Sequence, residues 1–160
     1  MHGDQLDEID LRILEILQAN ARIKRGDLAE QVNLSIPAVS ERMHKLEENG
    51  YIQGYHAVLN NRRVRLEITA YIFLVSESSI HYQQVVDLAV AKPEVLECHA
   101  ITGSGSHLIK VRVADMAALE KLLAEVQSWP GIKNTNTDIV LSTAKETTEL
   151  SLNHFAKPPA

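Results

Sequence analysis

The chain has 160 residues and a formal net charge of −5, and its 45% hydrophobic content is ordinary for a globular protein, enough for one domain or two small ones. Its one cysteine, Cys98, excludes an internal disulfide. No N-terminal apolar run is long enough for a signal peptide or a membrane span, so the expectation is a cytoplasmic protein without a membrane partner.

In chain order, Leu6, Ile9, Ile13, Leu14 and Leu17 repeat at helical spacing behind Asp7, an N-cap with Asp10 three residues on. Leu28, Ala29 and Val32 predict a second, shorter helix, and Asn33 stands where a left-handed residue is needed before a third. That third helix is capped by Ser35, carries Pro37 in its first turn, where a missing donor costs nothing, and stops at Gly50. Val39, Met43 and Leu46 form its apolar back. Ser40, Glu41, His44 and Lys45 must then point away from the core. A short helix with an apolar back and a polar, partly cationic front, directly behind another short helix, is the layout of a helix-turn-helix that reads a DNA groove.

The acidic total does not contradict this. Residues 20–46 hold five basic residues (Arg22, Lys24, Arg25, Arg42, Lys45) against three acidic ones, and Arg62, Arg63 and Arg65 add three more positives with no acid among them. The expected DNA-binding residues are Arg25, Ser35, Pro37, Ala38, Ser40, Glu41, Arg42, His44 and Lys45. Among these, Arg42 is better placed to hold a phosphate or an acidic neighbour than to read a base.

Residues 51–55 read as an extended exit from this unit, and Asn60 to Arg63 as a polar linker. The remainder predicts a strand over Ile68–Val75, a helix on Tyr82, Val85, Val86 and Ala89 ended by Pro93, and a strand over Val95–Ile101. A turn over Thr102 to Ser106 leads into a half-buried strand over Leu108–Val113. Next come a helix on Met116, Leu119, Leu122, Leu123 and Val126, stopped by Trp129-Pro130-Gly131, and a last strand over Ile132–Ser142. The order β-α-β-β-α-β is that of a ferredoxin-like domain. The fold class is therefore α+β: a helix-turn-helix, winged-helix-like domain over 1–52, a connecting strand or linker over 53–64, a ferredoxin-like domain over 65–144, and a tail over 145–160. The tail, with Leu150, Leu152 and Phe155 before Lys157-Pro158-Pro159, is expected to lie along a neighbour before fraying.

In sequence the chain resembles the Lrp/AsnC, or feast/famine, family of bacterial and archaeal transcription regulators. The matching residues are Leu6-Asp7, Asp10, Ile13-Leu14, Arg22-Ile23, Leu34-Ser35, Val39, Arg42, Leu46-Glu47, Gly50 and Ile52. In the second half they are Glu97-Cys98, Thr102-Gly103, Leu108, Asp115-Met116, Pro130-Gly131-Ile132 and Thr135. The resemblance implies a homodimer on operator DNA, assembly to an octamer, and a small effector, often an amino acid. It places the effector at Gly103, Ser104, Gly105, Ser106 and His107, with Thr135 and Thr137 from the last strand. The family commonly has an acidic residue and an aromatic where Ser106-His107 stand here, so this turn offers backbone donors and a titratable imidazole but no carboxylate for an ammonium group.

The sequence admits other readings. Cys98, His99, His107 and His81 raise the thought of a metal, but adjacent Cys98 and His99 point to opposite faces of a strand and cannot easily share an ion, so no metal or cofactor is expected. The histidines also admit a siroheme-type tetrapyrrole decarboxylase. An assembly module with a degenerate DNA-binding half is a third possibility. No nucleotide-binding glycine loop or nucleophile elbow appears, and catalysis is not expected.

Overall fold

A computed structural model describes residues 6–103 and 105–155. The chain divides into two compact units, residues 1–58 together with 146–160, and residues 59–145.

The first unit holds three helices, α1 (Glu8–Ala19), α2 (Arg25–Gln31) and α3 (Ile36–Glu48). Local chemistry starts each end where the sequence indicates. Asp7 and Asp10 close a reciprocal capping box on α1. Asn33 takes φ 54 in the turn, and Ser35 Oγ accepts the Ala38 N–H. Ile13, Ile16 and Leu17 of α1, Leu28 and Ala29 of α2, and Val39, Met43 and Leu46 of α3 make one core. At the far end, Gly50 (φ 74) turns the chain so that the Ile52 N–H returns to the Leu46 carbonyl at 3.1 Å. Over 53–64, given as a connecting strand or linker, no strand is formed, and among the described residues none precedes Ile68. Residues 51–58 are instead tied to α3 by Tyr55, whose hydroxyl donates to Glu47 at 2.8 Å. Burial first, and that carboxylate next, push the Tyr55 hydroxyl up to about 12.

The tail belongs to this unit. The Gln18 side-chain amide grips the backbone of Leu150 twice, donating to its carbonyl at 3.1 Å and accepting its N–H at 2.7 Å. The expected fraying of Lys157-Pro158-Pro159 lies outside the described residues.

The second unit has the order β1 (Ile68–Ser76), α4 (Tyr82–Val90), β2 (Val95–Ala100), β3 (His107–Val113), α5 (Met116–Gln127) and β4 (Ile132–Ile139). Its strands lie β2-β3-β1-β4 and every neighbouring pair is antiparallel, the ferredoxin-like arrangement. Ala70, Ile72 and Leu74 of β1 and Ile109, Val111 and Val113 of β3 are buried with Val85 and Ala89 of α4 and Leu119, Leu122 and Val126 of α5. By strand alternation, Tyr71 and Phe73 with Leu108, Lys110 and Arg112 occupy the other face, which none of these helices covers. Lys110 Nζ bonds Glu97 there at 3.1 Å, and Arg112 Nε donates to Thr69 Oγ1 at 3.0 Å.

The last strand is shorter than the sequence suggests, ending at Ile139 and not at Ser142. β4 is an edge strand, and its only ladder partner, β1, begins at Ile68. The Val140 N–H still reaches the Thr69 carbonyl at 2.9 Å, one residue short of Ile68, where β1 itself begins.

Because Met43 sits in a three-helix core with the Arg25 guanidinium against it, Met43→Lys buries an unpaired charge beside a like one at a cost on the order of 3–5 kcal/mol, enough to unfold a unit this small. Differential scanning calorimetry should lose the transition of the first unit and keep that of the second. Retention of both transitions would mean that Met43 is not a core residue.

Candidate nucleic-acid interface and effector turn

The buried Val39–Met43–Leu46 back of α3 fixes which residues are presented. Ser35, Pro37, Glu41, His44 and Lys45 are exposed, and Ala38 and Ser40 are half-buried beside them. On this front, Lys45 Nζ pairs with Glu41 at 3.0 Å and His44 Nε2 with Glu48 at 3.2 Å, both one helical turn apart. The hydrogen bond and charge of Lys45 hold the Glu41 carboxyl below its usual range. Such solvent-exposed pairs are weak and exchange readily for phosphate contacts.

Two residues expected on the DNA face have other work. Arg42 Nη1 bonds Asp7 and Asp10, each at 2.7 Å, which braces α3 against the start of α1. The Asp10 and Asp7 carboxylates both raise the Arg42 guanidinium further above neutrality. Desolvation pushes the Asp7 carboxyl up, but the Asp10 N–H and Arg42 outweigh it and hold the group below its normal range. Arg42 therefore holds an acidic neighbour, one of the two roles the sequence offers it. Arg25 opens α2 and lays its guanidinium against the Met43 sulfur, so it seals the base of α3 while remaining exposed. The sequence shows Asp7 and Asp10 only as a cap. Their second role needs α1 and α3 side by side.

In the second unit the turn between β2 and β3 is pinned to the end of β1. The Ser106 N–H donates to the Leu74 carbonyl at 2.8 Å and its hydroxyl donates to the same oxygen at 3.1 Å. The Ser106 hydroxyl also lies 2.7 Å from Ser76 Oγ and 3.1 Å from His107 Nδ1. At Gly105 a Cβ would stand 3.1 Å from the Leu74 carbonyl, so the tight approach of the turn favours glycine. Gly103 has φ 112 and open space on its Cβ side. Ser104 lies outside the described residues.

His107 is not the accessible titratable group that the sequence suggests. It is 2% exposed and meets Tyr82 edge-on, with ring centroids 4.9 Å apart at 88°. Burial pushes its imidazole below the ordinary value of 6.5. Ser106 likewise spends its hydroxyl inside the turn. Thr135 and Thr137 lie elsewhere: Thr135 is opposite Leu74 on β4 and accepts from Gln127 at 3.1 Å, while Thr137 lines a groove with Met116, Leu123 and Ile139. His107 and Thr135 flank Leu74 from opposite sides, about 10 Å apart at two strand spacings.

Cys98 faces the core opposite Ile109, whereas His99 pairs with Glu97 at 3.3 Å on the other side of the sheet. Among the described residues no cluster of three His, Cys, Asp or Glu could hold a metal ion, and no helix is long and apolar enough to cross a membrane.

Comparison with known proteins matches both units. The family model described as a winged helix-turn-helix DNA-binding domain covers residues 6–53, and the one described as the Lrp/AsnC ligand binding domain covers residues 69–150. The leucine-responsive regulatory proteins of Escherichia coli K12 and Salmonella typhimurium LT2 are 35% identical over 151 residues, 92% of this chain and 92% of theirs. A Neisseria meningitidis transcriptional regulator, solved as its complex with L-Met, superposes with a TM-score of 0.88 at 33% identity, covering 94% of this chain and 99% of that one. The structure of E. coli AsnC gives 0.85 at 28% identity, covering 91% and 99%.

Two outcomes follow from this geometry. Ser40→Ala with His44→Ala should weaken binding to a DNA fragment from upstream of the chain's own gene at least tenfold with the melting temperature unchanged, measured by fluorescence anisotropy and calorimetry; unaltered affinity would misplace the reading face. Because the folded state holds His107 neutral, its contribution to stability is complete above the unfolded value near 6.5 and is lost as pH falls below it. The stability of the parent should therefore drop between pH 7 and pH 5.5 by more than that of His107→Gln, and equal slopes would contradict burial of the ring.

Proposed function

Since the chain belongs to the Lrp/AsnC family of DNA-binding transcriptional regulators, with a helix-turn-helix and a ligand-binding domain, we propose that it works as a homodimer controlled by a free amino acid and catalyses no reaction. The observation that carries the proposal is the polar front of α3, held outward by the buried stripe behind it and, among the described residues, left free of any covering helix of its own unit. Ser35, Pro37, Ala38, Ser40, Glu41, His44 and Lys45 face the duplex, and Arg25 and Arg42 support them from behind.

The dimer forms through the uncovered sheet face. Tyr71, Phe73 and Leu108 are half-buried there without helix cover, and the Glu97–Lys110 pair supplies polar contacts that set register. A two-fold arrangement places two reading helices on half-sites about one turn of DNA, or a multiple of it, apart. Dimers assemble further, to an octamer. The amino acid binds at the Thr102–Gly103 side of the β2–β3 turn, with Thr135 and Thr137 coming from a second copy. Names among the relatives supply its chemical class: one responds to leucine and another was solved with L-Met. The inward Ser106 leaves the carboxylate and the apolar side chain as the main handles.

Light scattering on Phe73→Lys should give a monomer where the parent gives a multiple of 17.8 kDa; a monomeric parent would overturn the assembly. In thermal-shift assays, L-Leu or L-Met at about a hundred times its dissociation constant should stabilise the parent by roughly 2.7 kcal/mol, a shift of several degrees. Gly103→Val, strained at φ 112, should abolish the shift. No shift from any of the twenty amino acids would contradict amino-acid control.

A further inference from the structure

We propose that residues 60–66 form a second nucleic-acid contact, a basic loop that grips the sugar-phosphate backbone of duplex DNA; this rests on the DNA-binding function described above. The loop is built, not slack. The Val64, Arg65 and Leu66 N–H groups bond the carbonyls of Asn60, Arg62 and Asn61 at 3.2, 3.1 and 2.9 Å. Two asparagine side chains staple it: Asn60 Oδ1 accepts the Arg63 N–H at 3.1 Å, and Asn61 Nδ2 donates to the Leu66 carbonyl at 3.0 Å. Arg65 is held at φ 59, a conformation that a long side chain adopts rarely and only when its neighbours fix it.

This scaffold presents Arg62, Arg63 and Arg65, all exposed. Among the described residues none of the three guanidinium groups has a carboxylate partner, although the chain carries 21 acidic residues against 16 basic ones. Glu67, the next acid along the chain, pairs with none of them. Three unpaired positive charges on one stapled loop repel one another in the free protein, and an anion relieves that repulsion. Arginine, with its planar fork of donors, fits phosphate oxygens in pairs.

Covalent connection favours DNA as the source of those phosphates. Ten residues lie between Asn49, at the end of α3, and Asn60, a tether of at most about 40 Å and comparable to one turn of duplex. Such a contact carries no sequence information. It raises affinity for every duplex alike and makes binding more sensitive to salt.

The test measures binding by fluorescence anisotropy across a potassium chloride series, on a 60-base-pair random-sequence duplex and on the fragment upstream of the chain's own gene. The parent is compared with the triple variants Arg62→Gln/Arg63→Gln/Arg65→Gln and Arg62→Lys/Arg63→Lys/Arg65→Lys. The glutamine triple should bind both duplexes at least tenfold more weakly near 0.1 M salt, and its plot of log affinity against log salt should be shallower by roughly five for a dimer with two loops, about 0.9 for each of the phosphates no longer neutralised. Its melting temperature and its preference between the two duplexes should match the parent's. The lysine triple should keep the parent's slope. A glutamine triple with the parent's slope and affinity, or one that loses only its preference for the upstream fragment, overturns the proposal while leaving DNA binding intact. Displacement of the random duplex by polyglutamate at equal charge concentration also overturns it, because the loop would then be a site for any polyanion. A parent that binds neither duplex removes the DNA-binding function itself and this loop with it.

Discussion

Burial of Val39, Met43 and Leu46 against α1 and α2 is the constraint from which the reading surface follows. Once that stripe is inside, helix geometry leaves Ser40, Glu41, His44 and Lys45 no choice but the front. Caps at Asp7 and Ser35 and the left-handed Asn33 fix where the helices begin, and so set the angle at which the front is offered. The Arg42 bonds to Asp7 and Asp10 then close α3 onto the start of α1. The unit has few core residues, so these polar closures add to what its apolar area supplies. The Gln18 grip on Leu150 extends that closure to the C-terminal segment, which leaves the second unit and packs with the first.

The second unit is organised around one carbonyl. The Leu74 oxygen at the end of β1 receives both the backbone and the side chain of Ser106, and Gly105 approaches it closely. This holds the β2–β3 turn in a defined shape while its outer edge at Thr102 and Gly103 stays available. His107 and Tyr82 pack behind the turn as a wall, which ties its position to the start of α4. A ligand bound at the proposed outer edge would press on a turn already coupled to a helix and to the central strand, a physical route from binding to rearrangement.

Features carried by local sequence are legible. Caps, the Asn33 turn, helix periodicity and the β-α-β-β-α-β order all depend on residues within a few positions of one another. Features carried by distant partners are not. Arg42 reads as the holder of a phosphate or an acidic neighbour, and only α1 lying beside α3 names Asp7 and Asp10 as that neighbour, while His107 reads as a switch until Tyr82 and the sheet enclose it. Nothing at Gln18 announces a bond to a residue 132 positions away. The overrun of β4 to Ser142 has the same origin, since strand length is set by the partner β1 and not by β4's own composition. The Asn60-Asn61 pair is a signal that the linker reading passes over: two adjacent asparagines are strong turn formers, and they make residues 60–66 an ordered loop.

Hydrogen–deuterium exchange of the full chain, free and bound to the fragment upstream of its own gene, tests the central claim most directly. The account predicts that DNA slows exchange most strongly across residues 33–45, the turn and front of α3, with the buried strands β1 and β3 unchanged. Protection confined to the ferredoxin-like unit, with residues 33–45 exchanging as in the free protein, would contradict it.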